Sequence, residues 1–210
     1  MISTSKGIRG QYMKRAIDAI YIQKKLQKTL DDKRFTHTLG VAYTATSLAM
    51  VHNCDIKQAQ IAGLLHDCAK MRSDSSLLRL CHKNGIKMTS YEQTHPEMLH
   101  AKAGALIARS RYSITNSDIL DAIRWHTTAK PNMSDLGKII YIADFIEPNR
   151  KELDCLPEIR RMAFEDLDEA VYLILKNILE WLKASNETID DMGKMAFDYY
   201  ENIHNQKGEI

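Results

Sequence analysis

The sequence predicts an all-α fold, and three observations support this prediction. Apolar residues recur three and four positions apart along almost the whole chain, which is the spacing of one helix face. Runs in which apolar and polar residues alternate, as in half-buried strands, are missing. Helix-breaking residues are few, with nine Gly and four Pro among 210 residues. We therefore expect a bundle of packed helices.

The helices can be placed from the apolar spacing and from signals at their ends. Short polar residues that can cap backbone N–H groups stand where several helices should begin. They are Asp55, Ser73 and Asn116 or Ser117. Gly85 and Pro148 stand where helices should end. The predicted helices cover residues 10–28, 33–52, 56–70, 74–84, 96–110, 117–126, 134–147, 164–184 and 188–204, with a loop at 85–95.

Length and composition favour one globular domain over residues 1–210. The chain is 44% hydrophobic and 27% charged, which suffices for a sizeable core. Its formal net charge is only +2, because 29 Lys and Arg are interspersed with 27 Asp and Glu. This balance disfavours a nucleic-acid-binding protein, which would carry a basic face. An anionic ligand would have to be bound by a local cluster of charges.

The cysteines and the apolar segments indicate where in the cell the protein is expected. Four cysteines at positions 54, 68, 81 and 155 form no CxxC pair, which disfavours a zinc ribbon or a disulfide framework. The polar amino terminus has no signal-peptide pattern, and no window is apolar enough to span a membrane. We expect a cytoplasmic protein without a membrane partner.

Polar residues in apolar surroundings are the first functional signal. His66 and Asp67 directly follow the apolar stretch IAGLL, and Asp144 lies inside the apolar run IIYIADFI. Burial of an unpaired carboxylate is costly, so a compensating cation is expected at both positions. The alternative for the His66-Asp67 pair alone is that both are surface residues at a helix end. Because the same feature recurs at Asp144, we favour a shared metal site.

Two further histidines complete a set of candidate ligands. His126 ends the amphipathic stretch LDAIRWH, and His37 opens another helix. Together with His66, Asp67 and Asp144 they offer nitrogen and oxygen donors on four predicted helices, which a bundle can direct into its interior. Such a set suits iron, manganese, zinc or cobalt in a catalytic site with open positions. Hydrolysis of a phosphate bond by a metal-activated water is the expected reaction.

The order H…HD…D resembles the HD superfamily of helical metallophosphohydrolases. The segments RFTHTLGVAYTATSLA, AGLLHDCAK, MLHAKAGALIA and HTTAKPNMSDLGKIIYIADFIEPNR are similar to the YqeK family of symmetrical diadenosine tetraphosphate hydrolases. The similarity covers residues 15–200, and its most specific part is HTTAKPNMS followed by IIYIADFIEPNR. It implies an HD-type helical bundle that holds its metal inside and cleaves Ap4A symmetrically into two ADP.

The resemblance also implies roles for individual residues. The implied metal ligands are His37, His66, Asp67 and Asp144, with iron as the metal and with His66 and Asp67 as the catalytic pair. The implied substrate-binding residues are His37, His100, His126, Asp144 and Arg150. Arg34 stands three residues before His37, on nearly the same helical face, and is expected to bind the substrate as well. His100 and His126 could instead bind a second metal, and the sequence leaves both roles open. Whether the protein is a homodimer is also left open.

Two other functions remain alternatives at this stage. One is a different HD phosphohydrolase, such as a 5′-nucleotidase or phosphodiesterase, and the other is a non-catalytic nucleotide-sensing domain. A basic residue accompanies several ligand motifs, which favours a polyphosphate substrate. These basic residues are Lys70, Lys102, Lys130 and Arg150.

Overall fold

The computed structural model describes residues 18–208, and in that range the chain is helical without strands, as predicted. Its eleven α-helices are α1 (Ala19–Leu26), α2 (Asp32–Val51), α3 (Ile56–Leu65), α4 (Asp74–Lys83), α5 (Ser90–Thr94), α6 (His100–Tyr112), α7 (Ser117–Trp125), α8 (Asp135–Ile146), α9 (Leu156–Ala163), α10 (Leu167–Ala184) and α11 (Asp191–Gly208). A 3₁₀ turn at Pro96–Leu99 leads into α6. The part of the predicted first helix before residue 18 lies outside the described residues.

The residues predicted to cap the starts of helices largely do so. The Asp55 carboxylate accepts hydrogen bonds from the backbone N–H groups of Lys57 and Gln58, and Asn116 caps α7 in the same way. Ser73 precedes α4 without a side-chain hydrogen bond to it. Gly85 follows α4 with a φ of 64°, a left-handed conformation that glycine adopts at no steric cost.

Three helix predictions need correction. The helix predicted over 56–70 ends at Leu65, and turns follow it through His66 and Asp67. The predicted loop at 85–95 contains the short helix α5, which a capping box at Thr89 and Glu92 stabilises. Helix α9 lies in a region that the prediction left without a helix. Both missed helices have eight residues or fewer, and such short helices depend on tertiary packing.

Helix α8 is the centre of the main core. It contacts α2, α3, α7, α9 and α10, and almost all of its residues are buried. The exceptions in its last turns are Asp144 and Phe145, which are partly exposed at a cavity. Helices α2 and α3 pack closely because Gly63 lies against the Ala42 backbone. These contacts hold the ends of α3, α7 and α8 around one interior point.

Within residues 18–208, no helix is both long enough and apolar enough to cross a membrane.

Candidate metal and substrate site

Six side chains from five helices and their ends converge into a single group, which we call the ligand cluster. His37 lies in α2, His100 begins α6 and Asp144 lies in the last turn of α8. His66 directly follows α3, with Asp67 next to it, and His126 directly follows α7. The ligand cluster is His37, His66, Asp67, His100, His126 and Asp144.

Three histidines of the cluster are oriented by the same local contact. The Nδ1 atoms of His66, His100 and His126 lie 2.7, 2.5 and 2.7 Å from the backbone carbonyl oxygens of Gly63, Glu97 and Ile123, each three residues earlier. A carbonyl oxygen can only accept, so Nδ1 carries the proton in each ring. The Nε2 lone pairs therefore face the interior of the cluster.

The separations between these nitrogens suit a shared cation. The Nε2 atoms of His100 and His126 are 3.2 Å apart, and those of His37 and His66 are 3.4 Å apart. Burial lowers the pKa of His66 to about 4, so that ring is neutral at physiological pH. Two imidazole nitrogens at this distance need a proton or a cation between them, and nitrogen and carboxylate donors that converge within 4.8 Å are the set that transition metals prefer. The donor set therefore fits a metal ion.

Asp67 connects the two halves of the cluster. Its Oδ1 lies 3.3 Å from His100 Nε2 and 3.5 Å from His126 Nε2, while its Oδ2 lies 3.7 Å from His66 Nε2. Burial alone would raise its pKa, but the surrounding imidazoles lower it well below the usual range. The carboxylate is therefore ionised. Its two oxygens can bind one cation or bridge two neighbouring cations.

The donor atoms fall into three overlapping groups, each within 4.8 Å. Two of them share His66, with His37 and Asp67 in one group and with His126 and Asp144 in the other. The third group combines Asp67 with His100 and His126. Among the described residues, the four donors inferred from the resemblance thus lie together, and His100 and His126 join them.

The ends of three helices add to the attraction for cations. His66 and His126 follow the carboxyl ends of α3 and α7, and Asp144 lies near the carboxyl end of α8. Free carbonyl groups give these ends partial negative charge. The chain therefore concentrates negative potential where the lone pairs converge.

Glu147 supports the site through His37, and this role was not predicted from the sequence. This residue is 1% exposed, and its Oε1 lies 3.1 Å from His37 Nδ1, while His37 Nε2 lies 3.0 Å from Asp144 Oδ1. These two carboxylates raise the pKa of His37, although burial of the ring opposes them. The sequence did contain a signal for this role, because Glu147 stands three residues after Asp144 at the end of the apolar run IIYIADFI.

A cavity of about 340 Å³ opens beside the ligand cluster, and we call it the site cavity. Basic side chains from three parts of the chain line it, namely Arg34, Lys70 and Arg150. Arg34 Nη1 lies 2.7 Å from Asp67 Oδ2, and Arg150 Nη2 lies 2.9 Å from Asp144 Oδ1. Each guanidinium keeps further N–H groups for an anionic ligand.

Two other basic residues named from the sequence have different partners. Lys102 forms a buried ion pair with Glu92 at 2.6 Å, and Lys130 lies 2.7 Å from Asp121. Neither lines the site cavity. Thr127, which the sequence reasoning did not single out, lies 3.3 Å from the Nε2 atoms of both His100 and His126.

Comparison with known proteins gives a consistent set of similarities. Residues 34–149 match the family model described as "HD domain". The symmetrical bis(5′-nucleosyl)-tetraphosphatase of Bacillus subtilis is 37% identical over 165 residues, which are 78% of this chain and 87% of that protein. The protein of the same name from Halalkalibacterium halodurans is 38% identical over 160 residues, covering 76% and 84% respectively.

A solved structure is also similar. The crystal structure of a predicted HD superfamily hydrolase involved in NAD metabolism, from Clostridium acetobutylicum, matches with a TM-score of 0.85 and 36% sequence identity. The match covers 88% of this chain and 97% of the other. All six residues of the ligand cluster lie within the matched family segment.

Proposed function

Because the chain belongs to the HD-domain family and to its symmetrical bis(5′-nucleosyl)-tetraphosphatases, we propose that it hydrolyses diadenosine tetraphosphate to two ADP. One water adds at the central phosphate bridge, and each half of the substrate leaves as ADP. The observation that supports this most directly is the ligand cluster beside a cavity lined by Arg34, Lys70 and Arg150.

The proposed metal ligands are His37, His66, Asp67 and Asp144, and we propose iron as the metal. A metal ion in this position acidifies water and offsets charge that develops on a phosphoryl oxygen. Nitrogen and carboxylate donors suit iron, and they suit manganese, cobalt and zinc as well. His100 and His126 serve either a second metal ion or the substrate phosphates.

The basic residues around the cavity have a separate task in this proposal. Arg34 and Arg150 are held in place by Asp67 and Asp144, so their remaining N–H groups are oriented before the substrate arrives. Lys70 lies 3.4 Å from the His100 ring nitrogens and adds a third positive charge. Together these residues bind the polyphosphate and orient it beside the ligand cluster.

The complete donor set bears on the two alternatives. A nucleotide-sensing domain without activity would have no need of a complete set of buried nitrogen and carboxylate donors that can hold a metal ion. A different HD phosphohydrolase would share the ligand cluster, but the similar relatives are named as tetraphosphatases. We further propose a cytoplasmic enzyme whose partners are Ap4A and ADP rather than nucleic acid, and homodimer formation stays a hypothesis.

Product analysis tests the activity. Purified protein, reconstituted separately with iron, manganese, cobalt or zinc, is incubated with Ap4A, and the nucleotides are separated by ion-exchange chromatography. ADP as the sole product is expected. ATP together with AMP, or no turnover with any of these metals, would refute the proposal.

A further inference from the structure

A second cavity adjoins the site cavity and differs from it in character. It has a volume of about 430 Å³ and shares the lining residues Phe145 and Ile178 with the site cavity, so the two lie side by side. Leu153, Cys155 and Trp181 supply the rest of its apolar lining. We call this second cavity the apolar groove. Its volume is in the range of small-molecule sites.

Trp181 leaves a large aromatic face accessible in the groove. Its side chain is 63% exposed, and Leu153 on the groove is 49% exposed. Trp181 follows Asn177 by one turn of α10, so both lie on the same side of that helix. Exposed apolar surface next to a polar site is typical of ligand binding.

The two cavities differ in the charge of the side chains that line them. Arg34, Lys70 and Arg150 line the site cavity, whereas no Lys or Arg among residues 18–208 lines the apolar groove. The groove's polar side chains are Asn177 and Asp154. A ligand that fits both cavities therefore combines a polyanionic part with a neutral aromatic part, which is the chemistry of a nucleoside polyphosphate.

We propose that the apolar groove binds one nucleoside of the dinucleoside polyphosphate, with its base stacked on Trp181; this inference rests on the proposed function. The polyphosphate lies in the site cavity, and the chain of the substrate passes Phe145 and Ile178 into the groove. Asn177 donates one N–H to the Leu173 carbonyl at 2.8 Å and keeps its other N–H and its oxygen for the base edge. Adenine offers a donor and an acceptor side by side, which an amide side chain can match.

Substitution of Trp181 tests the stacking. The W181A variant is expected to raise KM for Ap4A about tenfold with little change in kcat, because stacking far from the cleaved bridge binds substrate and transition state alike. The W181F variant keeps an aromatic face and should stay within about threefold of the wild type. The Y43A variant is the matched control, since Tyr43 is 57% exposed and lines neither cavity.

A binding measurement supplies a readout without turnover. In the W125F background, Trp181 is the remaining tryptophan, and a non-hydrolysable methylene analogue of Ap4A should quench its fluorescence, whereas inorganic tetraphosphate should not. Unchanged KM in W181A together with unquenched fluorescence would overturn the inference while leaving the tetraphosphatase activity intact. If W181A instead converts a dimer to a monomer at unchanged KM, the groove binds a second copy of the chain and the inference is also wrong. Absence of turnover in the wild type would refute the proposed function itself.

Discussion

At the residue scale, Asp67 has the most connected position in the ligand cluster. It lies within 3.7 Å of His66, His100 and His126 and accepts a hydrogen bond from Arg34. Its carboxylate is 5% exposed. A group with these contacts would balance the charge of a bound cation, and it orients the guanidinium beside it.

Replacement of Asp67 by alanine should therefore abolish both metal binding and turnover. We expect less than about 1% of wild-type kcat/KM, which corresponds to roughly 3 kcal/mol of transition-state stabilisation. The far-UV circular dichroism spectrum should stay helical, because Asp67 lies in a turn between helices. The measurements are metal content by mass spectrometry and steady-state kinetics, with D198A as an exposed control. Retained activity in D67A would show that the site has been misplaced.

Glu147 acts through His37 and is a positioning residue. The E147Q variant removes the negative charge behind the ring but keeps an oxygen that can accept from Nδ1. Since such supporting groups set ligand orientation and basicity, metal affinity should fall about 10- to 100-fold. Competition with a chelator of known affinity measures this change. The exposed E152Q variant should bind metal like the wild type, and equal affinities in both variants would contradict the assigned role.

At the element scale, the contact between α2 and α3 depends on Gly63. A Cβ added there would lie 2.8 Å from Ala42 Cα and 3.2 Å from Ala42 N, which are backbone atoms that no rotamer change can move. The Gly63 carbonyl also fixes the His66 ring. Both the packing of α2 against α3 and the orientation of the His66 ring therefore depend on Gly63.

The G63A variant should lose about 1–3 kcal/mol of unfolding free energy, as overpacked cores do. Urea denaturation followed by circular dichroism measures the loss. The matched control is G193A in α11, where the nearest atom to an added Cβ is 3.8 Å away. That variant should be unchanged or up to about 1 kcal/mol more stable, because alanine has a higher helix propensity than glycine. A stable G63A protein would show that the two helices can separate without cost.

The contact between α10 and α11 should depend on pH. Asp166 caps α10 and binds Lys207 of α11. Partial burial would raise the pKa of Asp166, but the hydrogen bonds from Lys207 and from the backbone outweigh burial and lower it. A depressed carboxyl pKa stabilises the fold above the unfolded value of about 4, and this stabilisation is lost as pH falls through the folded value.

The D166N variant keeps a capping side chain and removes only the charge. Its unfolding free energy should lie below that of the wild type at pH 7, by less than about 1 kcal/mol because solvent screens a half-exposed pair. The difference should shrink toward zero as pH falls from 5 to 3. Urea denaturation across this range measures it. A constant difference at every pH would indicate that the loss comes from the cap rather than the charge.

At the scale of the whole molecule, the ligand cluster ties distant parts of the chain together. Its members run from His37 to Asp144 and come from the ends and turns of five helices. A metal ion held by the four proposed ligands in the folded state, and by few of them in the unfolded chain, would shift the folding equilibrium. Metal binding should therefore stabilise the tertiary structure as well as the site.

Removal of the metal should lower the unfolding free energy. At a metal concentration 1,000 times the dissociation constant, the expected stabilisation is about 4 kcal/mol, reduced by whatever the unfolded histidines bind. Urea denaturation of metal-loaded and chelator-treated protein measures the difference. The D67A variant should show no metal-dependent shift. If the wild type shows none either, the cluster is not a metal site.

The sequence alone was enough for the helical class and most helix positions, because apolar spacing and caps such as Asp55 act locally. It was also enough to identify the polar residues whose burial costs free energy, since His66, Asp67 and Asp144 stand in apolar surroundings whatever the fold. The short helix α9 could not be predicted in this way, because its stability depends on packing against α8 and α10.

The tertiary structure decided which of these residues meet. Lys102 and Lys130 stand next to His motifs in the sequence as Lys70 does, yet only Lys70 faces the site cavity, because Glu92 and Asp121 bind the other two. His100 joins the donors and Glu147 supports His37 through contacts between residues far apart in the chain. Charges and lone pairs act over a few ångströms of space, so their partners depend on helix packing rather than on neighbours in sequence.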